Sequence, residues 1–228
     1  VIVIIEASIG LMREKVLIPD ESELKKKIIN RKIANKEEIP PEKFLPYKGD
    51  NKGVPLFPVL GTGYKVIRSL NPHDEKGYIA WSPDVFEKMY NRIIGKIRNN
   101  IDDIVKYKKY YLDDADIAII AYGSTARVAL GAIKKLRESN YKVGLLKLDT
   151  VFPVPEKVIN EVAENSKALL VPELNMGKYV LEVKRVVNCK SKVKPLPKNR
   201  GEQFTINEII AGVKSLYRDC LLYTSDAA

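Results

Sequence analysis

The chain has 228 residues, of which 45% are hydrophobic and 30% are charged, and its formal net charge is +10 at pH 7. This is the composition of an ordinary globular protein, and no apolar run approaches the roughly 18 residues of a membrane-spanning helix. The basic residues alternate with 29 acidic ones and aromatics make up only 8%, which argues against a surface for single-stranded nucleic acid. We therefore expect a cytoplasmic protein that binds neither membrane nor nucleic acid.

The cysteine and histidine content limits the metal chemistry that we expect. The two cysteines, Cys189 and Cys220, are far apart and form no Cys-x-x-Cys pair, and His73 is the single histidine. Iron–sulfur clusters need several cysteine thiolates, and zinc sites need clusters of Cys and His. We therefore predict no metal ligands in this chain.

The two ends of the chain differ from its middle. Residues 1–5 are apolar and β-branched, as in a buried strand, and residues 8–16 are expected to form a helix that ends before Pro19. Residues 218–228 have no periodicity, and we interpret them as a non-native tail.

A connector is predicted for residues 21–110. Its section from Ile39 to Tyr64 is crowded with Pro and Gly, which indicates an extended segment without strong elements. Ser82 and Pro83 then form a typical helix start. The apolar spacing that follows predicts one long amphipathic helix ending near Tyr107.

From Asp116 onward the pattern changes to alternating strands and helices. Strands are predicted at residues 117–121, 143–148, 168–171 and 193–196, the last at an edge. Thr205 and Glu208 have the spacing of a capping box before a final helix. Alternating strands and helices form parallel sheets with right-handed crossovers. We therefore predict an α/β domain over residues 111–217, with an open, mainly parallel sheet between two helical layers.

The first of three strand-end loops is Tyr122-Gly-Ser-Thr-Ala126, which opens a helix. The free N–H groups at such a helix start can bind an anion, with Ser124 and Thr125 as further donors. The alternative is that Gly123 permits a tight turn while Ser124 caps the helix. The loop lacks both the Lys of a P-loop and a G-x-G-x-x-G run.

The second loop is Asp149-Thr-Val-Phe-Pro-Val-Pro155, for which we predict a structural role. Its prolines fix an extended passage into the next helix. Its apolar side chains are expected to fill a core or an interface; they are Val151, Phe152 and Val154.

The third loop is Pro172-Glu-Leu-Asn-Met-Gly-Lys178, and like the other two it falls at the carboxyl edge of the sheet, where open α/β sheets bind ligands. Glu173, Asn175 and Gly177 are therefore candidates for contact with a ligand or a partner. The alternative is that Glu173 pairs with Lys178 while Asn175 caps a helix.

A polar segment, Asn71-Pro-His-Asp-Glu-Lys-Gly77, precedes the long helix. A histidine beside acidic residues can act in proton transfer, whereas a lone histidine in a turn is more often a surface or interface residue. His73 and Asp74 are therefore ligand or interface candidates. Elsewhere the sequence shows no nucleophile–base pair, so we predict no catalytic residue.

Taken in order, the segments AYGSTA, LKLDTVFPVP and LLVPELNMGKY resemble the second domain of 2-oxoacid:ferredoxin oxidoreductase alpha subunits. That domain is similar to the C-terminal domain of transketolase. The resemblance extends to residues 9–15 and to the segment around His73, and it covers roughly residues 1–217. Within the family, the 2-oxoglutarate enzymes are the most similar.

The resemblance implies an enzyme that decarboxylates a 2-oxoacid on thiamine diphosphate, reduces ferredoxin through iron–sulfur clusters and transfers the acyl group to coenzyme A. It places thiamine diphosphate and Mg²⁺ on a beta subunit, with gamma and delta subunits as further partners. The usual Gly-Asp-Gly motif with a downstream Asn-Asn is absent here. The resemblance thus implies a structural and interface-forming piece that binds no cofactor and is inactive alone.

The resemblance also sets the order of the domains. The thiamine-pyrimidine-binding-like domain of such a subunit would come first, so residues 1–20 would be its end. Pyruvate or branched-chain 2-oxoacids remain alternative substrates. A non-catalytic assembly module is the alternative of a different class.

Overall fold

The structure is a computed structural model that describes residues 2, 5, 7–68, 71–188 and 191–225. The chain forms two compact units. One, here called the sheet unit, consists of Val1–Met12 and Val105–Ala228, and the other, the connector unit, is Arg13–Ile104. Most of the strand predicted for residues 1–5 lies outside the described residues, as does Cys189.

The sheet unit is built on five strands. They are β1 (Tyr107–Tyr110), β2 (Ile117–Tyr122), β3 (Val143–Leu148), β4 (Ala168–Glu173) and β5 (Lys192–Pro197). Their order in the sheet is β1-β3-β2-β4-β5. Strands β2 to β5 are mutually parallel, and β1 runs antiparallel to β3 along one edge. The mainly parallel sheet and the edge position of β5 confirm the prediction.

Helices cover both faces of this sheet. The helices of the unit are α1 (Ala7–Leu11), α5 (Gly123–Glu138), α6 (Glu156–Glu164), α7 (Tyr179–Val187) and α8 (Ile206–Ser225). Alternate strand residues point to opposite faces, so Leu145 and Leu170 pack with α5 and α8, while Leu146 and Leu169 pack with α6 and α7. The result is the predicted three-layer α/β arrangement.

The described residues of the connector unit form the helices α2 (Glu21–Lys27), α3 (Pro83–Arg98) and α4 (Ile101–Ile104) and a short 3₁₀ turn at Pro41–Lys43. Ser82 caps α3 as predicted, because its hydroxyl accepts the N–H of Val85 at 3.4 Å. The prediction of one helix to Tyr107 was wrong. Helix α3 ends at Arg98, and α4 begins at Ile101 after a turn in which the Asn100 N–H donates to the carbonyl of Ile97, three residues before it.

Two further sequence predictions need correction. The helix expected at residues 8–16 is shorter and ends at Leu11. Strand β1 was not predicted, since the long helix was expected to end near Tyr107 and residues 108–110 were assigned to the connector without an element of their own. Among the helices that the structure describes, none combines the length and apolar character that crossing a membrane requires.

The capping box before α8 forms as predicted. The Thr205 N–H donates to Oε2 of Glu208 at 2.7 Å, and the Glu208 N–H donates to Oγ1 of Thr205 at 3.3 Å. Lys198 Nζ lies 3.0 Å from both carboxylate oxygens of Glu208. The N–H of Thr205, followed by Lys198, lowers the pKa of Glu208 to about 2. The charged form of Glu208 therefore stabilises the fold.

We expect Glu208→Gln to lose about 1 kcal/mol of stability at pH 7, because the cap weakens. The effect stays small because the Glu208 side chain is 43% exposed and its charge is screened. The lowered pKa contributes stability above pH 4.5, and this contribution is lost as the pH falls towards 2. Urea unfolding of both proteins at pH 7, 4 and 3 measures this, and a difference that grows at low pH would contradict it.

Candidate functional site

The loops after β2 and β4 meet at one point on the carboxyl edge of the sheet. The two strands are neighbours, but the chain leaves β2 into α5 on one face and β4 into α7 on the other. Such a divergence opens a crevice beyond the strand ends, where open α/β proteins bind ligands. Tyr122 and Glu173, the last residues of the two strands, lie across it.

The carboxylate of Glu173 is buried here, with only 2% of the residue exposed. Its Oε1 accepts hydrogen bonds from the hydroxyl of Tyr122 at 3.0 Å and from Nδ2 of Asn175 at 3.2 Å. The backbone N–H of Tyr179 donates to the same oxygen at 2.8 Å, and that of Val180 to Oε2 at 3.0 Å. Four donors thus satisfy this charge, two of them from the first turn of α7, whose dipole favours an anion.

The side chain of Asn175 shapes the loop between β4 and α7. Its Oδ1 accepts the N–H groups of Gly177 at 2.8 Å and Lys178 at 3.0 Å. Gly177 has φ +83°, a conformation that favours glycine. The helix capping predicted for Asn175 is wrong, because both of these N–H groups precede α7, whose N-cap is Lys178 without a side-chain cap bond. The alternative pairing of Glu173 with Lys178 is wrong, because the donors to this carboxylate are Tyr122, Asn175 and backbone N–H groups.

Two tyrosines close the cluster. The rings of Tyr122 and Tyr179 meet edge to face with centroids 5.5 Å apart. Burial, followed by the charge of Glu173, raises the pKa of Tyr122 to about 12. Burial also raises the pKa of Tyr179, whose buried hydroxyl finds no hydrogen-bond partner among the described residues. Both phenols therefore stay protonated at neutral pH, and that of Tyr122 serves as a donor to Glu173.

We expect Tyr122→Phe to lower the free energy of unfolding by about 1.5 kcal/mol, because it removes a hydrogen bond to a buried charge. The raised pKa of Tyr122 adds a pH signature. Its stabilising contribution is complete below pH 10, the ordinary value, and is lost as the pH rises towards 12. Urea unfolding at pH 7 and pH 10.5 tests this. A gap between wild type and variant that widens at pH 10.5 would contradict it.

In the first loop, residues 122–126, one of the predicted roles is not observed. Helix α5 begins at Gly123, which has φ +58°, and its N-cap is Tyr122 without a side-chain cap bond. The predicted capping by Ser124 is therefore wrong. Ser124 is half-buried and Thr125 is buried. The positive φ of Gly123 favours glycine, which agrees with the turn role predicted for it. Binding of an anion at this helix start stays a prediction.

The second and third loops place two large apolar side chains at the surface. Phe152 is 71% exposed and Met176 is 74% exposed. Val154, by contrast, is half-buried and packs against the core beside α6 and α7. Of the residues predicted to fill a core or an interface, only Val154 is partly inside this chain. The sequence pattern alone did not distinguish side chains that pack in the core from side chains that are exposed at the surface.

His73 and Asp74 belong to the connector unit, not to the cluster around Glu173. Nδ1 of His73 lies 2.9 Å from the carbonyl oxygen of Asp74, to which it must donate. The carboxylate of Asp74 accepts the N–H groups of Lys76 and Tyr78 at 2.9 and 3.0 Å. The acid therefore shapes the turn and does not orient the ring for proton transfer. Among the described residues, no group of three or more His, Cys, Asp or Glu side chains could hold a metal ion.

Comparison with known proteins gives a consistent result. Residues 115–209 match the family model of pyruvate:ferredoxin oxidoreductase core domain II. The chain is 39% identical over 211 residues to the 2-oxoglutarate synthase subunit KorA of Methanothermobacter marburgensis, covering 92% of this chain and 54% of that protein. It is also 39% identical to the subunit of that name from Methanocaldococcus jannaschii over 202 residues, 89% of this chain and 52% of that one. The chain thus spans about half the length of the curated relatives it matches.

A solved structure is similar over most of the chain. It is the 2-oxoglutarate:ferredoxin oxidoreductase from Magnetococcus marinus with 2-oxoglutarate, coenzyme A and succinyl-CoA bound. The TM-score is 0.67 at 26% sequence identity, and the match covers 82% of this chain and 32% of that one. The sequence comparison and the fold comparison therefore both match this chain to proteins named for 2-oxoglutarate.

Proposed function

Because the chain belongs to the family of 2-oxoacid:ferredoxin oxidoreductase alpha subunits, we propose that it is part of an enzyme that acts on 2-oxoglutarate. The reaction converts 2-oxoglutarate and coenzyme A to succinyl-CoA and CO₂ while ferredoxin is reduced. The observation that carries this proposal is the 39% identity, over 92% of the chain, to a 2-oxoglutarate synthase subunit. The location of such an enzyme is proposed to be the cytoplasm.

Within that enzyme, we propose that this chain is structural and carries no catalytic residue. Support comes from the crevice between β2 and β4, where the one buried carboxylate among the described residues is Glu173. Its oxygens are engaged by four donors from the chain itself, so it is committed to holding α7. In this proposal, thiamine diphosphate, Mg²⁺, iron–sulfur clusters and coenzyme A are bound by other parts of the complex. We further propose that residues 111–217, together with β1, are the transketolase C-terminal-like domain, and that the connector from residue 21 onward ends before β1.

Expression of the complete gene with its neighbouring subunit genes tests the activity. Purified complex is assayed for reduction of methyl viologen that requires both a 2-oxoacid and coenzyme A. We expect turnover with 2-oxoglutarate and none with this 228-residue chain alone. Turnover only with pyruvate or a branched-chain 2-oxoacid would refute the substrate, and no turnover with any 2-oxoacid would refute the enzyme class.

We propose that the carboxyl edge of the sheet contacts partner subunits of the complex, the beta subunit first among them. Phe152 and Met176 support this, because both are large, apolar and mostly exposed at the same edge of the sheet, and anchors of this kind are enriched in interfaces. A double variant, Phe152→Ser with Met176→Ser, is expected to weaken co-purification of the partners at least tenfold. The matched control is Leu60→Ser, which changes an exposed apolar residue of the connector unit. Equal recovery of partners with both proteins would refute the interface.

A further inference from the structure

The connector unit contains a cleft of about 470 Å³ to which the proposed function assigns no role. This volume lies in the range of small-molecule sites. Part of its wall is apolar and part is charged. The apolar residues that line it are Leu45, Val85 and Met89, and the residues with polar ring or charged groups include Tyr47, His73 and Arg92.

One wall is a face of helix α3. Val85, Met89 and Arg92 follow each other at spacings of four and three residues, so they lie on the same side of the helix. This side places two apolar side chains next to a guanidinium at the cleft. Such a surface matches a ligand with an apolar part and an anionic end.

Another part of the wall is a tight turn that backbone hydrogen bonds hold in place. The Asp74 N–H donates to the carbonyl of Tyr78 at 3.0 Å and the Gly77 N–H to that of Asp74 at 3.1 Å. Gly77 has φ +93°, and a Cβ there would lie 2.6 Å from the carbonyl oxygen of Ile67. Only glycine therefore fits at this position. The turn is fixed by hydrogen bonds and close packing, and it presents His73 to the cleft.

The ring of His73 has a defined orientation. It lies against the ring of Tyr47 with centroids 4.0 Å apart, and Tyr47 is held in turn by a 2.8 Å hydrogen bond from its hydroxyl to the carbonyl of Ile67. Since Nδ1 of His73 donates to the Asp74 carbonyl, Nε2 is the nitrogen left to contact a ligand.

The acids around the cleft have partners of their own. Oδ1 of Asp50 accepts the N–H groups of Lys52 and Val54, and the N–H of Val54 is the first cause that lowers the pKa of Asp50. Asp74 accepts two N–H groups of its own turn. Glu75 is paired with Lys88 at 3.2 Å. Backbone N–H groups thus orient Asp50 and Asp74, and Lys88 pairs with Glu75, so that none of these three acids forms an ion pair with Arg92 among the described residues.

Three basic side chains line the cleft: Lys88 pairs with Glu75, Lys76 is exposed to solvent, and the third is Arg92. It is half-buried at the cleft, and in the part of the chain that the structure describes no acid lies within ion-pair distance of its guanidinium. The planar fork of donors of a guanidinium fits a carboxylate.

We propose that this cleft binds a small organic carboxylate with a short apolar chain. Its carboxylate pairs with Arg92, its chain packs on Leu45, Val85 and Met89, and Nε2 of His73 gives a second polar contact. The assignment does not depend on the proposed function, and either can fail without the other.

Butyrate is the probe for this site, and His73 is the reporter because it is the single histidine of the chain. With ring-labelled histidine, one C–H signal reports the cleft during a butyrate titration at constant pH and ionic strength. We expect a saturable shift of this signal. In Arg92→Gln the affinity should fall at least tenfold, whereas Arg98→Gln, an exposed arginine of the same helix, should leave it unchanged.

A second variant, Met89→Trp, fills the cleft and should abolish the shift while circular dichroism shows the folded protein. A shift that does not saturate, or equal affinities in wild type and Arg92→Gln, would overturn the proposal. Inorganic phosphate provides the other anion. If phosphate binds as tightly as butyrate, the site recognises charge alone, and the assignment to carboxylates with an apolar chain is overturned.

Discussion

Glu173→Gln is expected to lower the free energy of unfolding by about 3 kcal/mol, because it disturbs a buried, fully hydrogen-bonded carboxylate. The change keeps the size of the side chain but replaces one acceptor oxygen by an NH₂ group. Both oxygens of Glu173 receive hydrogen bonds from N–H groups of α7, at 2.8 Å from Tyr179 and 3.0 Å from Val180. Either orientation of the amide therefore sets a donor against a donor in a site that is closed to water.

The matched control for this substitution is Glu182→Gln. Glu182 lies on the same helix but is 44% exposed and pairs with Arg185 at the surface, so its loss should cost less than about 0.5 kcal/mol. Urea unfolding followed by circular dichroism measures both variants. If Glu173→Gln costs no more than the control, the carboxylate is not holding α7, and the structural role proposed for it fails.

Gly144→Ala is expected to destabilise the sheet unit by about 3 kcal/mol or more. Gly144 lies in β3, and a Cβ there would lie 2.5 Å from the carbonyl oxygen of Tyr111 and 2.6 Å from a methyl group of Leu112. The first of these atoms is backbone and cannot move without shifting the segment that follows β1. Even the smallest side chain therefore separates β3 from this segment.

Gly131→Ala provides the contrast to this substitution. Gly131 lies within α5, and the nearest atom to an added Cβ is the terminal methyl of Ile206 at 3.2 Å, which can rotate away. Alanine also favours a helix over glycine by up to about 1 kcal/mol. We expect a change within about 1 kcal/mol of wild type. Thermal unfolding of the two variants decides the matter, and a similar drop in both would show that crowding at Gly144 is relieved elsewhere.

Much of the sheet unit could be predicted because its local patterns are strong. Strand β3 was predicted with its bounds, and the spacing of Thr205 and Glu208 identified the start of α8. Strand β1 was missed because the four residues Tyr107–Tyr110 are mostly exposed on an edge. Over so short a segment, the sequence pattern of an exposed helix end resembles that of an edge strand. The backbone pairing of β1 with β3 distinguishes the two, and this pairing is not visible in the local sequence.

The candidate site could be predicted in place but not in detail. Parallel strands put Tyr122 and Glu173 at the same edge, so the sequence brought them near each other. The sequence did not reveal the hydrogen bond from the Tyr122 hydroxyl to the Glu173 carboxylate, because the two residues are 51 positions apart in the chain. The same limit applies to the cleft of the connector unit, where His73 and Arg92 come together from a turn and a helix.

The two borders of the sheet restrict how this protein can associate. Pro195 and Pro197 lie in β5, and the N–H of Lys198 already points to β4 by donating to the Glu173 carbonyl at 2.8 Å. The two prolines therefore occupy the alternate, outward-facing backbone positions, where they offer no donor to an incoming strand. At the opposite edge of the sheet, β1 carries Lys108 and Lys109. Lysine on an edge strand disfavours pairing with a strand of another chain. Continuation of the sheet into a neighbouring molecule is thus disfavoured on both sides, which protects the protein from strand-mediated aggregation and leaves its loops and helices for specific assembly.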